Sequence, residues 1–344
     1  MKKRHIQSLL AAALAVSMAM AAGCGNGASS EATGTGETAG TAAETSGTAG
    51  GEAAGETADT TAGGTEGVQT QYPLTITDDL GNSVTIEAEP ERVVSLSPAN
   101  TETLFALDAG GRVVGRTDYC SYPPEAAEVP SIGTYTSPNT ELIISMDPDV
   151  VFASDYIDDA IRSQVESAGA KVVVFAASDL EGVEQNILTA GQVLNQNEEA
   201  QAVVDGMEAE MAELEEILSA KTEEKSAFID LGDYYSAGPG SLLGNMLEDI
   251  GVRNVAADTG EMWPQLSMEK IIESNPDVYI SLYSTPEDLR QVAGLSELAC
   301  IQGEDTLIYF DGLSPEADLI QRAGPRLAEG TRLLAEQIYP ELFQ

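Results

Sequence analysis

Two acidic residues recur in one context. Glu141-Leu-Ile-Ile-Ser-Met-Asp-Pro-Asp-Val150 is matched by Glu269-Lys-Ile-Ile-Glu-Ser-Asn-Pro-Asp-Val278, agreeing at Glu, Ile-Ile, Pro-Asp and Val in a single register. Each acid lies two places after a helix-capping residue, Asn139 or Ser267, where the helix dipole alone stabilises a carboxylate by roughly 0.3 to 1 kcal/mol. That explains either glutamate taken singly. Their recurrence favours a second use, because two equivalent acids on two equivalent units fit two equivalent basic patches of a symmetric partner. Hydrolytic chemistry has little to work with. The only histidine, His5, sits in the leader, which removes a His-containing triad, a His-ligated zinc and a His-ligated haem from the rest of the chain. No Gly-x-Ser-x-Gly elbow or Gly-x-x-x-x-Gly-Lys loop occurs.

The second group of candidates is aromatic. Tyr122 lies in Thr117-Asp-Tyr-Cys-Ser-Tyr-Pro-Pro124, Tyr135 in Gly133-Thr-Tyr-Thr136, Tyr235 in Gly232-Asp-Tyr-Tyr-Ser236, and Trp263 in Trp263-Pro-Gln265. Each segment follows a strand or precedes a copy of the repeat. Loops after the carboxyl ends of parallel strands are where such sheets gather ligand groups. Flat walls with phenol and indole donors suit a large, partly apolar ligand such as a macrocycle or metal chelate. The plainer alternative is that each ring packs under its own loop.

Alternating elements must position these residues. A hairpin (Leu74 onward, turning over Asp79–Asn82) is followed by strands at Arg92, Arg112, Asp149 and Lys171, with helices starting at Pro98 and near Asn139 and Ile157. A second series has strands at Ala227, Asp277 and Leu307, and helices at Leu242 to Ile250, Met268 to Glu273 and Leu319 to Ile338. The fold class is therefore α/β: two similar lobes, each a mostly parallel sheet with flanking helices, joined by a long rigid interdomain helix. The lobes fall at 72–180 and 225–344, with connecting helices over 181–224. Asn197 is expected to cap the second of these helices, which at 1.5 Å per residue would reach about 36 Å by Ala220. A coiled-coil partner helix is the competing reading of that stripe.

The first 23 residues read as a secretory signal with a basic start and an apolar run. Ala21-Ala22-Gly23-Cys24 resembles a bacterial lipobox, so Cys24 is the expected lipidation site, with an ordinary cleaved signal as the alternative. Residues 24–71, rich in Gly, Ala, Thr, Ser and Glu, cannot build a core and read as a tether. The formal net charge of -41 repels nucleic acid and anionic headgroups. Cys120 and Cys300 either pair across the lobes or stay separate buried thiols.

Arg92-Val-Val-Ser-Leu-Ser-Pro-Ala-Asn-Thr-Glu102, Asp118-Tyr-Cys-Ser-Tyr-Pro-Pro-Glu-Ala126, Glu141 to Ala153 and Trp263-Pro-Gln-Leu-Ser-Met-Glu269 together resemble the helical-backbone metal-receptor family. These are the substrate-binding proteins of cobalamin, ferric-siderophore and haem ABC importers, and the chain looks most like the cobalamin-binding members. The resemblance covers residues 72–344. It implies two lobes, a shallow cleft lined by Tyr122, Tyr135 (where the cobalamin-binding members carry Trp), Tyr235 and Trp263, and little closure. It also implies that Glu141 and Glu269 dock on a dimeric permease that works with an ATPase. One segment departs from the pattern: Asp311 to Arg326 is longer before its Pro-Arg. On this reading the protein is a monomeric, lipid-anchored receptor on the extracytoplasmic face of the cell membrane. It is not an enzyme, has no cofactor or bound metal of its own, and captures a small metal complex. Only Arg116, Arg322 and Arg326 are expected near the cleft. The acidic balance favours a corrinoid over a siderophore or haem; a surface adhesin is the remaining rival.

Overall fold

The computed structural model describes residues 69–344. The leader 1–23, Cys24 and almost all of the tether lie outside these residues. No helix among the described residues is long and apolar enough to cross a membrane. Ordered contacts begin at Thr70, whose N–H donates to Asn195, and at Tyr72, whose hydroxyl donates to the Val193 carbonyl.

A hairpin of β1 (Leu74–Thr77) and β2 (Ser83–Ile86) opens the fold. Its turn is organised one residue earlier than the Gly-Asn pair suggests: buried Asp78 accepts the N–H groups of Leu80 and Asn82. The first lobe then runs β3 (Val93–Ser95), α1 (Pro98–Ala106), β4 (Val113–Arg116), a two-stranded ribbon of β5 (Gly133–Thr134) and β6 (Ser137–Pro138), α2 (Thr140–Ser145), β7 (Val150–Ala153), α3 (Asp159–Ser167) and β8 (Lys171–Val174). After α4 (Leu180–Leu194) and α5 (Asn197–Leu218), the second lobe runs β9 (Ser226–Asp230), α6 (Leu242–Asp249), β10 (Arg253–Asn254), α7 (Met268–Ser274), β11 (Val278–Ser281), α8 (Pro286–Leu289), α9 (Ala299–Gln302), β12 (Leu307–Tyr309), α10 (Pro315–Gln321) and α11 (Leu327–Ile338).

The main sheets are built alike. The first has the order β4-β3-β7-β8 and the second β10-β9-β11-β12, with every pair parallel. Strands covered on both faces need apolar side chains on both, and alternate residues go to opposite sides. Val150 and Phe152 of β7 join one large cluster that also takes in Ile280 of β11, Val204 of α5 and Leu334 of α11. Val151 and Ala153 face a smaller cluster under α2 and α3. The large cluster therefore continues from one lobe into the other.

The repeated segment now divides by residue. Ile143 and Ile271 are fully buried, whereas the second isoleucine of each pair, Ile144 or Ile272, is 36% exposed, so only the first builds the lobe. Asp147 and Asn275 end the two helices in the left-handed region (φ 48° and 40°), a conformation that short polar side chains tolerate. The Asp of each Pro-Asp ties the neighbouring strand: Asp149 accepts the N–H groups of Glu91 and Arg92, and Asp277 accepts the Ser226 N–H and hydroxyl.

Two expectations are corrected, and one choice between alternatives is decided. Asn197 is the first helical residue of α5, not its cap; the chain turns at Asn195 (φ 57°), and α4 and α5 pack closely because Gly191 faces Ala200, where a Cβ would stand 2.5 Å away. The helix expected over Leu319 to Ile338 is two, because Gly324-Pro325 interrupts it. Cys120 and Cys300 are separate buried thiols. Thr101 and Thr117 hydroxyls contact the Cys120 sulfur, and burial pushes the Cys300 thiol up to about 11.

Candidate ligand cleft

The loops at the carboxyl ends of both sheets carry the aromatic residues. In the first lobe, Tyr119 meets Tyr135 edge-on at 5.9 Å, and Tyr135 meets Tyr156 edge-on at 6.2 Å. Burial raises the Tyr135 and Tyr156 phenols above their ordinary range, with Tyr119 adding to the first and Asp155 and Tyr135 to the second. In the second lobe, Tyr283 follows β11. Its ring packs over Gly232 and Gly312, where a Cβ would lie 3.6 and 3.5 Å away. Its phenol is raised by burial and then by the Tyr135 phenol of the first lobe.

Tyr235 and Trp263 share a different support. Tyr235 bridges to Gln265, Ser236 N–H donates to the Pro264 carbonyl, and Gly238 N–H donates to the Met262 carbonyl. Glycine is required at 238: a Cβ would sit 2.0 Å from the Glu261 carbonyl oxygen. Both rings are half-buried on this ribbon, and Trp263 packs against the large core cluster. Thus Tyr122 and Tyr135 stand in the first lobe, and Tyr235 and Trp263 on one ribbon in the second.

The arginines hold the structure together. Arg116 donates to the carbonyls of Val129, Thr117 and Ala127 and so braces its own loop. Arg322 and Arg326 come from the non-helical break between α10 and α11 and both reach Glu102 on α1 of the other lobe. Arg322 Nη1 lies 2.6 Å from Glu102 Oε1; Arg326 Nε and Nη2 donate to Oε2 and Oε1, each at 2.8 Å. The Glu102 side chain is 2% exposed, those of Arg322 and Arg326 11% and 15%. Arg322 also pairs with Asp318 at 2.6 Å and donates to the Tyr119 carbonyl and Ser121 hydroxyl. Gly324 packs on Ala99 at the same junction. Arg326 lies 3.8 Å from the Tyr122 ring centroid, which fixes a ring that is otherwise 43% exposed.

Sequence reasoning missed Tyr156, Tyr283 and the role of Glu102. The first two could have been found by extending the repeat a few residues past each of its strands. Glu102 gives no local signal, since its partners are more than 200 residues away in the chain. Glu141 and Glu269 are exposed at matching positions of α2 and α7, with no ion-pair partner among the described residues. No group of three or more His, Cys, Asp or Glu among the described residues is placed to hold a metal ion.

Residues 93–299 match the family model described as periplasmic binding protein, and the chain belongs to that family. It is 34% identical over 285 residues to the uncharacterized ABC transporter substrate-binding lipoprotein YvrC of Bacillus subtilis, covering 79% of this chain and 88% of that one. It is 30% identical over 256 residues to the vitamin B12-binding protein of Salmonella choleraesuis (74% and 90% covered). Among solved structures, the periplasmic heme-binding protein RhuT from Roseiflexus superimposes with a TM-score of 0.66 at 25% identity, over 73% of this chain and 99% of that one.

Proposed function

We propose that this protein is the substrate-binding lipoprotein of an ABC importer, anchored through Cys24 on the extracytoplasmic face, and that it delivers a corrinoid to its permease and ATPase. The observation that carries the reading is the pair of aromatic loop sets, Tyr119, Tyr122, Tyr135 and Tyr156 on one lobe and Tyr235, Trp263 and Tyr283 on the other, at the carboxyl ends of two parallel sheets. Rings on both sides suit a broad, flat, weakly charged ligand. The protein binds and releases; it does not turn its ligand over.

For docking, each repeat offers an acid with an exposed isoleucine three residues on, Glu141 with Ile144 and Glu269 with Ile272, on one helix face. A partner with two-fold symmetry fits such a pair. Replacing both glutamates by Ala leaves ligand affinity unchanged and weakens stimulation of the importer's ATPase.

The test of the ligand is a thermal-shift and Trp263-fluorescence panel of cobinamide, cobalamin, haem and ferric siderophores. A corrinoid at 100 times its dissociation constant adds about 2.7 kcal/mol to stability. Response to haem or a siderophore alone would replace the corrinoid by that ligand, and tight binding only to a protein or glycan would favour an adhesin.

A further inference from the structure

We infer that Glu102 sets the charge selectivity of the cleft: by engaging both Arg322 and Arg326 it withholds the two guanidinium groups from the ligand and reserves the site for neutral or cationic complexes. The inference rests on the proposal that the ligand sits against Tyr122.

The geometry is specific. Three guanidinium nitrogens converge on one carboxylate, and Asp318 takes a fourth, so two positive charges are balanced by two negative ones within the cluster. Exposed, these arginines would make a two-pronged anion receptor beside an aromatic wall, since planar forks match phosphate, carboxylate and catecholate oxygens. Instead three of their nitrogens are spent on Glu102, a side chain almost wholly withdrawn from solvent, and Arg322 Nη2 is shared between Asp318, the Tyr119 carbonyl and the Ser121 hydroxyl. The Arg326 guanidinium carbon lies 3.8 Å from the Tyr122 ring centroid, so that ring covers part of its charge. Arg116 turns each of its three nitrogens to a carbonyl of its own loop region, Val129, Thr117 and Ala127. An anionic ligand that takes over the donors held by Glu102 and Asp318 would have to break a buried ion cluster, which costs more than the exchange returns.

The test uses the full chain and two probes, neutral cyanocobalamin and a trianionic ferric tris-catecholate, titrated at low and high salt. For the wild type, no saturable catecholate binding is expected. Glu102→Gln keeps the volume but removes the charge; it should gain catecholate affinity by at least tenfold, lost again at high salt, while cyanocobalamin affinity changes by less than about threefold. Asp318→Asn, which leaves the Glu102 bridge in place, should show a smaller gain in the same direction and serves if Glu102→Gln does not fold. Wild-type binding of the catecholate, or no gain in a folded variant, overturns the inference. If the wild type binds neither probe, the corrinoid reading fails, yet a salt-sensitive catecholate gain in the variants still upholds the role of Glu102.

Discussion

The same position in the two lobes is filled by opposite chemistry. Val93 pairs with Val150 in the first sheet and Ala227 with Val278 in the second. Counting from these partners, Leu96 corresponds to Asp230 and Val151 to Tyr279. In the first lobe the two apolar residues belong to one buried cluster. In the second, the Tyr279 hydroxyl donates to Asp230 at 2.9 Å, both buried, and burial pushes both groups above their ordinary ranges. The duplicated sheet thus needs volume here but no polar bond. What needs the bond is the next loop: Asp230 also accepts the Gly232 N–H, at the start of three successive left-handed residues, Gly232, Asp233 and Tyr234, that bring Tyr235 to the ribbon. Left-handed backbone at non-glycine residues persists only where its surroundings hold it. The polar pair belongs to the binding loop, and the apolar pair to the fold.

The largest effect should come from the core that the lobes share. Phe152→Ala is expected to cost about 3 to 5 kcal/mol, and Ile280→Ala about 2 to 5. Both should lower a single urea transition; two separated transitions would show that each lobe has its own core. Next, Tyr279→Phe removes the hydroxyl donor of a buried carboxyl and should cost about 1 to 3 kcal/mol. Adding Asp230→Leu, which restores the apolar logic of the first lobe, should recover part of that loss, giving a coupling of at least about 0.5 kcal/mol in a double-mutant cycle. Strict additivity would show that the pair does not act as one.

A third effect is on pH. Asp155, Glu184, Glu210, Asp230, Asp249 and Asp318 are all raised, each chiefly by burial. A carboxyl raised in the folded state holds its proton more tightly there than when unfolded. Stability therefore falls as pH climbs from the ordinary carboxylate range through the raised values. The melting temperature should be higher at about pH 5 than at pH 7, and Asp230→Asn should shrink that difference, whereas Leu96→Val in the matching place should not. The smallest effect concerns the repeated helices. Lys270 and Glu273 form an exposed pair at 3.6 Å where α2 has Leu142 and Ser145. Glu273→Ser should change stability by less than about 0.5 kcal/mol.

The sequence carried the sheets well because strands buried on both faces are continuous apolar runs, as in Val150-Val-Phe-Ala and Lys171-Val-Val-Val. It carried the caps at Asn139 and Ser267 because their side chains do a local job, accepting the N–H of Leu142 and Lys270. It carried less where tertiary contact decides. Two-residue β10 has no periodicity of its own and exists only by pairing with β9. The amphipathic pattern of α11 continued backward through Leu319, masking the Gly324-Pro325 break. For the candidate cleft, the loops were legible from their rings, but the use of both arginines by Glu102 depends on the lobes meeting.

That meeting bears on how the chain is made. The strands of the first sheet are complete at Val174, but Glu102 gains its partners only when Arg322 and Arg326 arrive from near the far end of the polypeptide. A buried carboxylate left without a counter-charge costs several kcal/mol. A product truncated before Arg322 would leave Glu102 without its counter-charges where the lobes meet, and α1 is expected to be cut sooner by a protease in that product than in the full chain.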